Sequence, residues 1–259
     1  GWYSGYIGFG LLTGIGIEQI GRYTYGKTPA WMGQLEIEYE DGTTDLITTD
    51  ATWKSSTGPI LSSTIYDGEI FDARKIMHGW SRIGFDDSSW KPVNIHNEGA
   101  AILEADQGVP VIKYESLTPD SIFTTPEGDL VVDMGQNMVG WVRLQVEGPA
   151  GTTVELRHAE VMDSEGNFYT ENLRRADQMI RYTLSGDGME VYEPHFTFQG
   201  FRYVKVIGFP GELKPENITG IVLHSEMERT GNFECSNEMV NQLYHNIIWG
   251  QKGNFLDVP

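Results

Sequence analysis

The chain has 259 residues, with 18 Lys or Arg against 37 Asp or Glu, for a formal charge of −19. Its 31 glycines, 7 tryptophans, 12 tyrosines and 11 phenylalanines exclude a disordered chain, which is poor in aromatics. No Gly period or heptad marks a collagen or a coiled coil. So acidic a balance, with no basic run, excludes nucleic acid and anionic membrane surfaces as partners. It leaves a neutral ligand, or a cation held by carboxylates.

The chain opens on Gly1-Trp2-Tyr3-Ser4-Gly5-Tyr6 without an initiating Met and closes on Phe255-Leu256-Asp257-Val258-Pro259. Termini are usually polar and frayed, so the sequence reads as a piece of something longer. Gly8 to Gly14 comes close to G-x-G-x-x-G with one residue too many and no β-α-β context, which argues against a dinucleotide site. Leu35, Ile37 and Tyr39 alternate with Glu36, Glu38 and Glu40, a strand with one wet face. Asp41-Gly42 supplies hairpin turn chemistry, and Thr43 to Thr49 returns. Asp86 to Trp90 reads as a polar turn ending on an aromatic anchor, and Ala100 to Ala105 as a helical turn.

From Gly108 the period of two sharpens. Strands are expected at Val109–Glu115, Asp129–Asp133, Val142–Val146, Val154–Leu156, Gln178–Leu184, Glu190–Tyr192, Phe201–Ile207 and Ile218–His224, separated by turns such as Gly148-Pro149-Ala150-Gly151 and Gly186-Asp187-Gly188. Short strands at this spacing mean a β-sandwich. At the tail, Ser236 is placed to cap a helix carrying Met239, Leu243 and Ile247 on one stripe, with Val240 at its flank, and Gly253 to end it. The expected organisation is all-β with a divided chain: 1–107, a β-sandwich over 108–228, and a connector helix in 229–259.

No apolar run reaches the roughly 18 residues of a membrane span. Cys235 is the single cysteine, so neither an intramolecular disulfide nor a cysteine zinc site is available. There is no G-x-S-x-G, and His78, His96, His158, His195, His224 and His245 show no H-E-x-x-H spacing. Asp163-Ser164-Glu165-Gly166-Asn167 reads as a solvated hairpin tip rather than a calcium loop, since it lacks the spaced acidic positions of an EF-hand.

The run from Ile65 to Arg74 carries more chemistry. Extended, it puts Asp67 and Glu69 on one side and Asp72 and Arg74 on the other. A carboxylate pair near an aromatic such as Trp80 or Trp90 suits a sugar, whose hydroxyls donate to the oxygens while its C–H face packs on the ring. The competing reading is an internal Arg74–Asp72 ion pair, with Glu69 on the surface. A glycosidase needs two carboxylates roughly 5 to 9.5 Å apart, and composition alone selects no such pair.

Several runs together resemble the bacterial α-L-rhamnosidase family, glycoside hydrolase family 78. They are Gly1-Trp2-Tyr3-Ser4-Gly5, the segment Ile65 to Arg74, Asp133-Met134-Gly135-Gln136-Asn137 with Gly140-Trp141, Arg157-His158-Ala159-Glu160, Phe196 to Tyr203, and Gly231 to Asn237. The resemblance spans the chain in order, and it implies two jelly-roll-like β-sandwich domains, 1–107 (incomplete) and 108–228, with the connector helix of 229–259 leading to a further domain. It implies an inverting hydrolase whose (α/α)6 catalytic barrel begins after these segments, so that no catalytic residue is expected here. It implies L-rhamnose-containing glycosides or plant polysaccharides as partners, and the barrel of the same parent chain as a second. Some relatives bind rhamnose and calcium on the first module, which makes Asp67, Glu69 and Trp90 the candidate sugar contacts. Asp67 is then the candidate Ca2+ ligand, and no other cofactor is implied. Two alternatives stay open: a self-sufficient hydrolase using carboxylates on its own sandwiches, and a stand-alone carbohydrate-binding module. An open strand edge and the apolar stripe after Ser236 lead to an expectation of self-association. A bacterial origin is implied, with the compartment open between secreted, periplasmic and cytoplasmic.

Overall fold

The computed structural model describes residues 30–96, 105, 107–174 and 176–257. The opening glycine-rich run and most of the expected helical turn at Ala100 to Ala105 lie outside the described residues. Among those described, residues 59–74 and 107–257 form one compact unit, and 30–58 and 75–96 belong to a second.

Among its described residues the second unit holds two small antiparallel pairs. Strands β1 (Gln34–Glu38) and β2 (Thr44–Thr48) make the hairpin expected from their alternation. Asp41 closes its turn by accepting from the Thr43 amide at 2.9 Å and the Thr43 hydroxyl at 2.7 Å. Strands β3 (Lys54–Ser55) and β6 (Lys91–Pro92) form the other pair.

The first unit is a ten-stranded sheet curled into a sandwich, in the order β4 (Ile60–Thr64), β5 (Gly68–Asp72), β11 (Met179–Thr183), β10 (Thr153–Ala159), β13 (Gln199–Ile207), β9 (Leu130–Glu147), β14 (Ile218–Ser225) and β7 (Val111–Leu117). Strands β8 (Ser121–Thr124) and β12 (Met189–Tyr192) pair with β9 off this path. All pairings are antiparallel except β5 with β11. The expected strands at 129–133 and 142–146 are one 18-residue strand, β9. It changes partners along its length, pairing with β8 and β13 near Val132 and with β14 and β12 near Leu144. Gly140 permits that passage: a Cβ there would lie 1.9 Å from the Ile221 carbonyl oxygen. The core is the inward row of β9 (Val132, Met134, Met138, Val142, Leu144, Val146) packed with Leu156, Ile180, Tyr182, Phe201, Val204, Ile218 and Val222. Alternating burial along β9, β10 and β13 is the period-two signature of a sheet with one face inward.

Residues 59–74, read from sequence with the N-terminal sandwich, supply β4 and β5 to this sheet. Main-chain pairing explains it: β5 runs parallel to β11, with Gly68 opposite Met179 and Asp72 opposite Thr183. Helix α1 (Glu238–Asn254) follows the sheet. Its N-cap is Asn237 rather than Ser236, with Asn237 Oδ1 accepting from the Met239 amide at 3.0 Å. It also runs through Gly253, whose position passes against Val139. The helix packs through Trp249 on the core, while Met239, Leu243 and Ile247 face outward.

Candidate functional site

The hairpin β4–β5 places the carboxylates that the sequence singled out. Its turn is built by Thr64, whose Oγ1 accepts from the amides of Tyr66 (3.2 Å) and Asp67 (2.9 Å). The carbonyls of Tyr66 and Asp67 then accept from the amides of Gln178 and Met179, each at 3.0 Å, and so start the parallel pairing. Gly68 sits at φ 91°, and a Cβ there would fall 2.0 Å from the Met179 carbonyl oxygen. That turn breaks the expected alternation, so Asp67 and Glu69 do not share a face. Asp67 is exposed, and Glu69 is fully buried.

Both oxygens of Glu69 are engaged by the protein. The Tyr192 hydroxyl donates to Oε1 at 2.7 Å and the His195 amide to Oε2 at 2.9 Å. His195 Nδ1 lies 3.2 Å from Oε1. Phe71 stacks on His195 at 5.8 Å between centroids and packs on Tyr192 and Tyr182. The segment His195–Gln199 straps the hairpin in place: Ser63 Oγ donates to the His195 carbonyl, Thr197 Oγ1 to the Thr64 carbonyl at 2.7 Å, and Gln199 Nε2 to Thr197 Oγ1 at 3.0 Å. The Glu69 hydrogen bond raises the His195 pKa, with burial opposing it. Burial, together with Glu69, pushes the Tyr192 hydroxyl far up, so it stays a donor.

Asp72 and Arg74 form the expected ion pair, Nε to Oδ1 at 2.8 Å and Nη2 to Oδ2 at 2.9 Å. Trp90 lies in the other unit, half-buried against Phe85 with ring centroids 5.8 Å apart at 64°. Calcium takes 6–8 oxygen ligands. Among the described residues no three His, Cys, Asp or Glu side chains converge on one point. The Asp163 loop is a hairpin tip, Asp163 Oδ1 accepting from the amides of Glu165 (2.9 Å) and Asn167 (2.7 Å).

Three further carboxylates on the sandwich, Glu193, Glu155 and Asp133, are likewise held by donors of the fold. Around Glu193, Trp141 Nε1 and Arg143 Nε donate at 2.8 Å each and Lys113 Nζ at 2.6 Å. Glu155 accepts from Arg157 at 2.6 Å and Arg181 at 2.8 Å. Asp133 is paired with Arg202. Burial acts upward on all three, but their donors outweigh it and hold them below the ordinary carboxylate range. A glycosidase acid needs the opposite, a carboxyl whose pKa is raised. Ser63, His195 and Glu69 meet, yet the Ser63 hydroxyl faces the His195 carbonyl and not its ring, so they do not compose a nucleophile–base pair.

Sequence reasoning missed Tyr192 and His195. They stand 123 and 126 residues from Glu69, and no spacing rule connects such positions. The Phe196–Tyr203 run that carries the resemblance begins one residue past the imidazole.

Three family models match the chain in succession: the alpha-L-rhamnosidase N-terminal domain over 1–115, the bacterial alpha-L-rhamnosidase concanavalin-like domain over 123–224, and the bacterial alpha-L-rhamnosidase 6 hairpin glycosidase domain over 228–259. The chain belongs to the bacterial α-L-rhamnosidase family. It is 46% identical over 260 residues to an alpha-L-rhamnosidase of Streptomyces avermitilis and 37% identical over 263 residues to one of an Alteromonas species. Each match covers 100% of this chain, and 24% and 27% of those relatives. The chain therefore spans about a quarter of the length of the curated relatives it matches. Among solved structures it superposes on the Streptomyces avermitilis enzyme complexed with L-rhamnose with a TM-score of 0.89, covering 24% of that chain. On the native Aspergillus terreus enzyme the TM-score is 0.86 at 42% identity, covering 29% of that chain. Three rhamnosidase models in chain order fit the all-β unit followed by a helix.

Proposed function

We propose that this chain is a non-catalytic, N-terminal portion of an α-L-rhamnosidase that removes terminal α-L-rhamnose from glycosides or polysaccharides. One observation carries the reading: the described carboxylates that are buried, Glu69, Asp72 and Asp133, are each held by donors of their own fold. Such carboxylates support a scaffold rather than protonate a leaving group. The sandwich then serves to carry the helical glycosidase part of the parent protein, whose model matches from residue 228. Glu69 in this reading is the anchor of the β4–β5 hairpin. Sugar contact by this chain falls to Asp67 and Trp90, both of which retain accessible surface. Self-association runs through the outward Met239, Leu243 and Ile247 of α1.

The test is turnover of p-nitrophenyl α-L-rhamnoside by the 259-residue chain. No turnover is expected. Hydrolysis that survives repurification, and that falls on Glu69→Gln or Asp133→Asn substitution, would replace this reading with the self-sufficient hydrolase. For sugar contact, calorimetry with L-rhamnose should give heat that Asp67→Ala or Trp90→Ala reduces. Unchanged heat in both variants removes those residues from the proposal.

A further inference from the structure

Glu69 is a fully buried carboxylate whose only cationic partner, among the described residues, is an imidazole with half its side-chain surface in solvent. A buried charge left without a countercharge is costly, and the cost falls on the element that carries it. That element is the β4–β5 hairpin, which lies at one edge of the sheet and borders β11. The chain reaches it from the other unit at Gly58 and leaves for that unit at Lys75.

We propose that Glu69 and His195 form a pH-sensitive latch that clamps the β4–β5 hairpin to the sandwich and loosens when the imidazole loses its proton. With His195 charged, the carboxylate faces an imidazolium and two neutral donors, the Tyr192 hydroxyl and the His195 amide. With His195 neutral, only neutral donors remain around a buried charge. The surrounding charged groups act on the same imidazole. Glu193, beside it in sequence, favours its proton, and Lys113 on β7 opposes it. Glu193 is itself ion-paired with Lys113 and with Arg143 of β9. On the far side, Tyr192 stacks on Tyr182 of β11, whose hydroxyl is held by Glu190 of β12. Neither tyrosine loses its proton in the range that matters, because burial pushes both upward. The latch is read through His195, whose ring Nδ1 meets the Glu69 carboxylate. The His195 pKa is raised on folding, so the stabilisation is complete below the ordinary histidine value and is lost as pH rises through the folded one.

The latch rests on this geometry and not on the rhamnosidase reading. It is tested by amide hydrogen exchange on the 259-residue chain from about pH 6 to about pH 9, corrected for the intrinsic rate, alongside NMR titration of the His195 ring. The β5 amides should lose protection several-fold relative to those of β13, with a midpoint matching the His195 titration. His195→Gln should flatten the dependence. A protection curve unchanged in His195→Gln, or a midpoint apart from the imidazole titration in the native chain, overturns the proposal. The second comparison decides the matter even if the variant does not fold.

Discussion

Arg202 meets Asp133 fork to fork, with Nε 2.8 Å from Oδ1 and Nη2 2.8 Å from Oδ2. The pair ties β13 to β9 next to the register shift between Phe201 and Tyr203, and Asp133 Oδ1 also accepts from the Gly135 amide at 2.7 Å. Bidentate geometry is specific to arginine. Arg202→Lys should therefore cost about 2 kcal/mol in urea unfolding, below the figure for a wholly buried pair because the guanidinium is partly solvated. The Asp133 pKa is depressed on folding, so its contribution is present above the ordinary carboxylate value and disappears as pH falls through the folded one. Asp133→Asn should remove that part of the acid sensitivity.

Two glycines with almost the same backbone angle separate strain from collision. Gly68 (φ 91°) lies on the Met179 carbonyl, whereas a Cβ added at Gly128 (φ 94°) would meet nothing within 4 Å. Gly128→Ala should cost about 1 kcal/mol from the positive φ alone. Gly68→Ala should cost at least about 3 kcal/mol, or release the hairpin. Equal losses in thermal unfolding would show that the parallel pairing tolerates the methyl group.

His158 opposes His195 in sign. It is fully buried, its Nδ1 lies 2.7 Å from the Gln178 carbonyl oxygen, and burial pushes its pKa down to about 4. Folding thus prefers the neutral ring, and stability is lost as pH falls from the ordinary histidine value toward the folded one. The loss is about 3 kcal/mol at the lower end. In chemical denaturation as a function of pH, His158→Asn should make that acid limb shallower.

Tyr192→Phe removes one donor from the buried Glu69 carboxylate. Urea unfolding should show a loss of about 2 kcal/mol. Polar replacement of Met239, Leu243 and Ile247 should change stability by no more than about 0.5 kcal/mol per site, because these side chains are exposed. The same replacements should lower the mean mass in light scattering if association runs through α1.

The parts of the fold legible in sequence are those with local causes. The β1–β2 hairpin follows from alternation around Asp41-Gly42, and the Arg74–Asp72 pair from two residues that turn back on each other. Helix α1 is legible from its stripe, although Asn237 outcompetes Ser236 as cap because its Oδ1 reaches the Met239 amide. What escapes depends on partners far along the chain. Val142 and Val132 look like two strands until Gly140 lets one strand cross between neighbours. Glu69 looks like a surface acceptor until the Gly68 turn rotates it inward toward Tyr192 and His195.

Residues 59–74 belong to the sheet of one unit, while the residues on either side of them belong to the other. The polypeptide therefore crosses between the units before β4, after β5 and again ahead of β7, so the two are stitched rather than strung. A gene segment beginning at residue 108 would encode a sandwich lacking β4 and β5, with β11 bare along one side and the Tyr192 hydroxyl facing no carboxylate. A cut at that point leaves the first unit unfinished, because two of its strands are encoded inside the stretch that builds the second.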